Sequence, residues 1–499
     1  MFVTRKNIRS LYLALVGMLI IVISTSVFFH RMFTLELEEN RRFVLQAVKN
    51  TVMGTIYDCH GTVLGTGTAI GSESWNTDYS VCMGNLLGTS PGLSKINAFH
   101  LRSFHAGLLY GQKQSHLGFR DLTNTSSVRI GGSLQLTVDA DLQKYAYELI
   151  SSEFSEAAAV VLDYSTGEIK AAVSVPSFDL NDESVLHLAE EATTDKDGKE
   201  HVAAYLDDER AVSKALHELY MPGSEIKGPL YAAALTYDPS LYDTFYECNG
   251  SHVNQYGITV KCAGGISHGK LDNMGSALAL SCNGYAETVF EALTSTDEGR
   301  QVLINTMRAF GFDASYSYPG FAYSDGIFLG KEPGPDAAET YSAIGGGECR
   351  TSVFGLAVVY AAIANRGTLV LPHMVRASSV YSDEPLAPYE DAGTREVCSS
   401  DVSELVLEMM EEATENGTGK KMAINGIRVC SKTGTAVHDD KSKETLWATA
   451  ILDAPESPYV AVVMLDNTDS DKYTASGDAG RMVRDILEYV LSATENKAQ

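Results

Sequence analysis

The chain has 499 residues, of which 44% are hydrophobic, so it is long enough for one large domain with a core of its own and a smaller domain beside it. Lysine and arginine total 38 against 64 acidic residues, which gives a formal net charge of −26. This acidic balance argues against nucleic acid or an anionic lipid surface as a partner. The negative charge itself is explained by solubility.

A membrane anchor is predicted near the start of the chain. Residues 11–29 form a run of 19 residues without a charge, which is long enough to cross a bilayer core. Basic residues precede it, so residues 1–10 are expected to form a cytoplasmic tail and the remainder to lie outside the cell membrane. The alternative is a cleaved signal peptide, because small residues occur at 24–26, but the apolar run continues beyond them and favours an uncleaved single span.

Residues 30–132 are expected to form a stalk and a small N-terminal domain. Within them, Ile56-Tyr57 ends a strand, Asp58 to Gly61 has turn chemistry, and Val63-Leu64 begins a return strand. The stretch from 66 to 130 is rich in Gly, Ser and Asn and has no periodic pattern.

The composition changes at Ser133, where a second domain, residues 133–499, is predicted to begin. Residues 134–138 alternate like a strand, and Asp139 caps an amphipathic helix that extends to Ile150. Residues 157–163 and 168–175, joined by a Ser-Thr-Gly turn, form a hairpin pattern. The charged residues 182–209 then indicate a solvated excursion.

A Pro-Gly turn then introduces a serine at the start of an apolar run. Ser224 lies just inside the predicted helix, where free N–H groups and the helix dipole favour developing negative charge. Lys227 follows about one turn later, and an amine beside a hydroxyl is the arrangement of an activated serine nucleophile. Ser-x-x-Lys is common by chance, so the prediction depends on two later matches, Ser281-Cys282-Asn283 and Lys432-Thr433-Gly434-Thr435.

The chain has eight cysteines, and an extracytoplasmic domain permits disulfides without requiring them. Cys248 and Cys262 flank a short segment containing Gly and Asn, and they are the predicted disulfide pair. Their spacing does not resemble a zinc site, because no Cys or His lies two residues from either, so no metal is expected. The other six cysteines are expected to be buried free thiols.

The C-terminal part is predicted to contain three neighbouring strands and a closing helix. The strands are expected at 428–436, 446–452 and 459–466, and the helix at 480–491.

The motifs Ser-x-x-Lys, Ser-x-Asn and Lys-Thr-Gly, in this order, form the signature of penicillin-binding proteins and class A β-lactamases. From about Ser133 to Ser492 the chain resembles a class B penicillin-binding protein, and a weaker resemblance extends to Gly54. It implies the penicillin-binding transpeptidase fold, a mixed α/β (α+β) architecture whose mostly antiparallel central sheet is flanked by helices, with a small N-terminal domain and one N-terminal transmembrane helix.

The resemblance also implies the activity, which is that of a peptidoglycan D,D-transpeptidase without a cofactor. In such an enzyme Ser224 is acylated by a D-Ala-D-Ala stem peptide, D-Ala leaves, and an acceptor amine takes the acyl group. Lys227 would be the base for the attack, Ser281 would relay a proton to the leaving amine, and Asn283 would hold Lys227 and the substrate backbone. Lys432 would add positive potential.

The remaining implied roles concern substrate binding and partners. The hydroxyl groups of Thr433 and Thr435, on either side of Gly434, would receive the terminal carboxylate of the substrate. His268 lies in a stretch that is structural in this family, so it is not expected to act as a base. The implied partners are peptidoglycan stem peptides and nascent glycan strands, β-lactam antibiotics as covalent inhibitors, and a membrane-embedded glycan polymerase.

The sequence argues against three alternative functions. A class A β-lactamase would need a Glu-x-x-Leu-Asn loop, and no such pentapeptide occurs between Asn283 and Lys432. A glycosyltransferase domain would not fit into the residues between Arg31 and Ser133. An acylable but non-enzymatic β-lactam sensor or wall-synthesis scaffold is the non-enzyme alternative, and the intact motifs argue against a purely structural role.

Overall fold

The computed structural model describes residues 51–89, 100–111, 129–186, 188–194, 200–206, 208–329, 337–389, 393–438 and 442–498. The predicted anchor at 11–29 and the predicted cytoplasmic tail lie outside these ranges. Within them, no helix is long and apolar enough to span a membrane.

The strands, in chain order, are β1 (Thr51–Val52), β2 (Ile56–Tyr57), β3 (Val63–Ala69), β4 (Ser72–Trp75), β5 (Arg129–Ile130), β6 (Ser133–Leu136), β7 (Ala157–Asp163), β8 (Ile169–Val175), β9 (Leu188–Thr194), β10 (Glu200–Leu206), β11 (Tyr246–Cys248), β12 (Ser251–Val253), β13 (Thr259–Lys261), β14 (Gly269–Leu271), β15 (Thr368–Val370), β16 (Val375–Ser379), β17 (Ala387–Pro388), β18 (Thr394–Glu396), β19 (Val429–Val437), β20 (Lys443–Leu452) and β21 (Tyr459–Asp469).

The described α-helices are α1 (Gly84–Leu87), α2 (Leu101–Phe104), α3 (Ala106–Leu109), α4 (Ala140–Ser151), α5 (Lys227–Tyr237), α6 (Met274–Ala279), α7 (Asn283–Thr294), α8 (Asp297–Phe310), α9 (Ala337–Ser342), α10 (Val353–Ala364), α11 (Ser400–Glu415) and α12 (Gly480–Ala498).

A five-stranded antiparallel sheet, in the order β19-β20-β21-β7-β8, forms the centre of the molecule. Successive side chains of a strand point to opposite faces. On β7, Ala159 and Val161 belong to the apolar core that includes residues of α4 and α12, whereas Val160 and Leu162 belong to the core that includes α5 and α10. Both faces are thus covered by helices, which explains why β7 is buried almost throughout.

A second sheet has six strands in the order β17-β16-β6-β2-β3-β4. Its middle strand β6 pairs with β2 on one side and with β16 on the other. Strands from both sides of the predicted domain boundary at Ser133 therefore share one sheet. The boundary itself stays a prediction.

The predicted fold class is confirmed for the described residues, which form a mixed α/β fold with an antiparallel central sheet between helices. Asp139 caps α4 as expected, since its carboxylate accepts the N–H groups of Asp141 and Leu142. The charged stretch after Asp182 contains an antiparallel ribbon of β9 and β10, which the charge pattern did not predict.

Candidate active site

The turn that carries Ser224 is fixed by its neighbours. Residues Gly223–Ile226 form a single 3-10 turn, and α5 begins directly after it at Lys227. Three hydrogen bonds from other elements hold the turn: Trp447 Nε1 to Met221 O at 2.9 Å, Gly223 N to Gly345 O at 3.1 Å, and Tyr360 Oη to Glu225 O at 2.7 Å. The serine is therefore presented by a rigid backbone.

Lys227 lies at the centre of the predicted catalytic residues. Its Nζ is 2.7 Å from Ser281 O, 2.7 Å from Asn283 Oδ1 and 2.9 Å from Ser224 Oγ. The Asn283 amide is itself oriented, because its Nδ2 donates to Lys261 O at 2.8 Å and so turns Oδ1 towards the lysine. Complete burial, and then the positive charge of Lys432, hold the pKa of Lys227 well below its usual range.

Ser281 joins the two lysines. Its Oγ is 3.3 Å from Lys227 Nζ and accepts a hydrogen bond from Lys432 Nζ at 3.1 Å. Its backbone has a φ of 55°, in the left-handed region that residues other than glycine rarely adopt. Such strain persists where the surrounding structure enforces it and concentrates at functional sites.

Lys432 is buried on β19 and donates to Thr433 O at 2.6 Å. Burial lowers the pKa of Lys432 to about 8, and the nearby Glu225 carboxylate opposes this effect. With a pKa of about 8, Lys432 still favours the charged form at neutral pH and places positive charge beside Ser281.

The substrate-binding residues predicted on β19 differ in exposure. Thr435 is exposed, whereas Thr433 is mostly buried and its hydroxyl donates to Thr418 Oγ1 at 2.9 Å. The structure thus brings together all five predicted catalytic residues and the β19 motif beside them.

Two glycines permit β19 to approach the serine turn. A Cβ added at Gly434 would lie 2.4 Å from Pro222 O, and one at Gly223 would lie 2.4 Å from Thr435 O and 2.9 Å from Thr435 N. Neither position has room for a side chain. The backbone N–H groups of Ser224 and Thr435 are thereby held on neighbouring segments.

Glu225 follows the serine, and its side chain is completely buried. Its Cγ would lie 2.9 Å from a Cβ at Gly434, behind β19. Burial raises the pKa of Glu225 to about 7, with Lys432 acting in the opposite direction.

The predicted disulfide between Cys248 and Cys262 is not formed in the structure, where all eight cysteines are free. The two Sγ atoms are 3.7 Å apart, far beyond the disulfide bond length of about 2.0 Å. Cys262 Sγ also has Cys282 Sγ at 3.8 Å, and Cys248 Sγ has His268 Nδ1 at 3.4 Å, so neither sulfur of the predicted pair has a single partner.

Sequence reasoning missed several residues around the site. Tyr360 and Trp447 hold the serine turn although they lie more than 130 positions away in the chain. His268, expected to lie in a structural stretch, has its Nδ1 3.4 Å from Cys248 Sγ, a contact that the sequence did not predict. A signal for this grouping existed in the second residue of the Ser-x-Asn motif, which is a cysteine.

The chain is similar in sequence to known penicillin-binding transpeptidases. Residues 157–488 match the family model described as the penicillin binding protein transpeptidase domain. The peptidoglycan D,D-transpeptidase PbpA of Mycolicibacterium smegmatis is 28% identical over 358 residues, which cover 70% of this chain and 70% of that protein. The peptidoglycan D,D-transpeptidase MrdA of Acinetobacter baumannii is 27% identical over 374 residues, covering 70% of this chain and 49% of the relative.

Solved structures give the same fold. An imipenem acyl-enzyme complex of penicillin-binding protein A from M. tuberculosis superposes with a TM-score of 0.73 at 21% identity, and the match covers 89% of this chain and 100% of that one. The D,D-transpeptidase domain of a peptidoglycan glycosyltransferase from Eggerthella lenta gives a TM-score of 0.69 at 20% identity, covering 89% of this chain and 99% of the other.

Proposed function

This chain belongs to the penicillin-binding protein transpeptidase family, and we propose that it acts as a peptidoglycan D,D-transpeptidase whose nucleophile is Ser224. Its relatives bear that activity in their names, and the solved structure that it resembles was acylated by a β-lactam. The expected substrate is a stem peptide that ends in D-Ala-D-Ala, and β-lactams are the expected covalent inhibitors.

The observation that carries the proposal is the set of atoms around Lys227 Nζ. A neutral amine has two N–H donors and one lone pair. Ser281 O and Asn283 Oδ1 can only accept, and both lie 2.7 Å away, so they take the two N–H groups. The lone pair is left facing Ser224 Oγ at 2.9 Å, the position of a base for the serine hydroxyl.

Acylation then follows from these positions. Ser224 Oγ attacks the carbonyl carbon between the two D-alanines, and its proton moves to Lys227 Nζ. The backbone N–H groups of Ser224 and Thr435 stabilise the oxyanion, and a preorganised donor of this kind is typically worth about 3 kcal/mol in the transition state.

The leaving group and the acceptor use the second half of the site. When the C–N bond breaks, the amine of the departing D-Ala takes a proton through Ser281 Oγ, which lies within reach of both Lys227 and Lys432. The amine of a second stem peptide attacks the acyl-enzyme, loses a proton to the same groups, and restores the Ser224 hydroxyl. The product is a peptide cross-link.

The substrate carboxylate is expected to lie along β19. Thr435 offers an exposed hydroxyl there, and Thr433 and Lys432 lie next to it on the same strand. Gly434 has a different role, because it allows the strand to touch the serine turn.

The cellular setting completes the proposal. With residues 11–29 as a single anchor, the transpeptidase part would work on nascent glycan strands outside the cell membrane, beside a membrane-embedded glycan polymerase. The uncharged run and the basic residues before it support this orientation.

Covalent labelling by a fluorescent penicillin tests the function. We expect stable labelling of the purified chain that disappears in Ser224→Ala. Ser295→Ala is a matched control, because the Ser295 hydroxyl donates to Ala292 O at the exposed end of α7, and this variant should label like the parent. With a D-Ala-D-Ala stem peptide, D-Ala release should show the same dependence on Ser224.

Two results would contradict the proposal. A label that forms on Ser224 and is lost within seconds would indicate a β-lactamase. A folded chain that takes no label would indicate a scaffold that has kept the motifs without the chemistry.

A further inference from the structure

Four side chains that can bind a metal meet directly behind the Ser281 corner of the site. Cys248 ends β11, Cys262 follows β13, His268 precedes β14, and Cys282 lies before the first residue of α7. Their three sulfur atoms and one ring nitrogen all lie within 4.8 Å of one another. The three cysteines are at most 3% exposed, and His268 is partly buried.

The separations fit one tetrahedral ion. Cys262 Sγ lies 3.7 Å from Cys248 Sγ and 3.8 Å from Cys282 Sγ, and His268 Nδ1 lies 3.4 Å from Cys248 Sγ. Zinc bonds of about 2.3 Å to sulfur and about 2.0 Å to nitrogen, at tetrahedral angles, would give ligand separations of about 3.8 Å and about 3.5 Å. A hydrogen bond between the Cys248 thiol and the His268 ring would also give 3.4 Å, whereas a single ion accounts for all three separations.

The backbone around these ligands also has the form of a binding loop. Gly250 N donates to Cys248 Sγ at 3.4 Å, and Cys262 N donates to Gly250 O at 3.0 Å. Gly250 and Gly264 have positive φ angles of 90° and 61°, which turn the chain sharply after Cys248 and after Cys262. These turns leave Cys248 Sγ and Cys262 Sγ 3.7 Å apart.

The segment between residues 246 and 271 packs against α7, where Asn254 Nδ2 donates to Glu287 Oε1 at 2.9 Å, but its own strands are short. It consists of two ribbons of three-residue strands, β11 with β14 and β12 with β13, and Val253, Tyr256 and Ile266 are exposed. Two-stranded ribbons of this size are marginal in water without a core or a cross-link. A metal would add a cross-link to the packing against α7.

We propose that Cys248, Cys262, His268 and Cys282 bind one zinc ion in a closed structural site. Three thiolates and an imidazole are the donors that zinc prefers, whereas magnesium, calcium and manganese prefer oxygen. Four protein ligands leave no open position for water, so the ion stabilises structure and does not take part in the reaction.

The ion would act on the active site through two neighbouring residues. Cys282 stands between Ser281 and Asn283, and Cys262 follows Lys261, whose carbonyl oxygen accepts the Asn283 amide at 2.8 Å. Anchoring both cysteines to one ion fixes the Asn283 side chain from two sides. The metal is therefore a positioning element for the Lys227 network.

Metal content of the purified full-length chain, grown with zinc and measured by mass spectrometry, is the first test. We expect one zinc per chain in the parent, a loss of at least tenfold in Cys248→Ser and Cys282→Ser, and a weaker, chelator-sensitive ion in His268→Ala. Cys349→Ser is the matched control, because Cys349 is equally buried but lies outside the cluster, and it should keep the metal.

The parent chain alone gives a second readout that does not depend on folding of the variants. Exchange of zinc for cobalt should produce the strong visible absorption of tetrahedral cobalt bound to thiolates. A parent chain with no bound zinc and no cobalt spectrum would overturn the proposal. So would a thiol count two short of eight, with Cys248 linked to Cys262 in a peptide map.

Removal of zinc by a chelator should slow penicillin acylation at least tenfold, and added zinc should restore the rate. An unchanged rate after complete removal would refute the positioning role. A chain that holds one zinc but never labels would refute the proposed transpeptidase activity and leave the metal site standing.

Discussion

At the scale of single residues, the site depends on which state of Lys227 is present. A protonated lysine would donate a third N–H to Ser224 Oγ and could not accept the serine proton. Burial and Lys432 both lower the pKa of Lys227, so folding makes the neutral form easier to reach than it is for a lysine in water. The arrangement of acceptors and the shift of the pKa therefore act in the same direction.

This predicts the pH dependence of acylation. The rate constant for penicillin acylation should rise with pH through the lowered pKa of Lys227 and fall as acid protonates the amine, because only the neutral form is a base. Lys227→Arg, which stays charged, should lose roughly 10²–10⁴-fold in acylation rate. The exposed Lys421→Arg is the control, and stopped-flow labelling across pH makes the measurement.

A Lys227→Arg variant that is acylated at the parent's rate across the pH range would mean that another group is the base.

Lys227 also affects the stability of the folded chain. Since its folded pKa is below its unfolded value, the unfolded chain binds more protons between the two, and stability should increase with pH in that window.

The catalytic residues could be predicted from the sequence because their chemistry imposes short motifs. Ser224 and Lys227 are one helical turn apart, and Ser281 and Asn283 share a turn, so each pair is local. The cysteine and histidine cluster could not be predicted in this way. Its members come from four strand or helix ends, and only the tertiary fold makes them neighbours.

At the scale of elements, the contact between β19 and the serine turn decides whether the site forms. The turn must touch the strand for the N–H groups of Ser224 and Thr435 to converge, and Gly434 has no space for a methyl group. The Lys-Thr-Gly motif thus contains one residue that is required for its lack of a side chain.

Gly434→Ala should reduce the acylation rate at least tenfold, because a Cβ 2.4 Å from Pro222 O forces the strand and the turn apart. Gly480→Ala is the matched control, since a Cβ there would meet nothing closer than 3.4 Å and the site begins a helix. Acylation rate and melting temperature should be measured together. A Gly434→Ala variant that labels at the parent's rate would contradict this account of the motif.

Element prediction succeeded where periodicity is strong. The strands expected at 428–436, 446–452 and 459–466 are β19, β20 and β21, displaced by at most a few residues, and the hairpin and closing helix are also present. The β9–β10 ribbon was missed because its sequence is charged and lacks alternation. The pairing of β2 with β6 in the six-stranded sheet was not predicted. The two strands are neighbours in the fold, but residues 58–132 separate them in the sequence.

At the scale of the whole molecule, the shared sheet predicts cooperative unfolding. The chain has two tryptophans, the buried Trp75 at the end of β4 in the six-stranded sheet and Trp447 in the central sheet. In Trp447→Phe the fluorescence reports on Trp75 and the six-stranded sheet, and in Trp75→Phe it reports on Trp447 and the central sheet. In each variant the fluorescence midpoint should agree with the midpoint from far-ultraviolet circular dichroism within about 2 °C.

Agreement is expected because β6 and β16, from the part of the chain after residue 132, pair into the same sheet as β2, β3 and β4, so this sheet cannot unfold without them. A Trp75 transition that precedes loss of the helical signal by many degrees would mean that the N-terminal part is an independent unit.

The pairing of β21 with β7 also has a consequence in time. Leu465 pairs with Ala157, roughly 300 residues earlier in the chain. At about 5–20 residues per second, β7 waits about 15–60 s during synthesis for this partner. An unfinished chain carries the serine without β19 beside it, so the acylating centre cannot be acquired in stages. It comes into existence only after β19 has been synthesised.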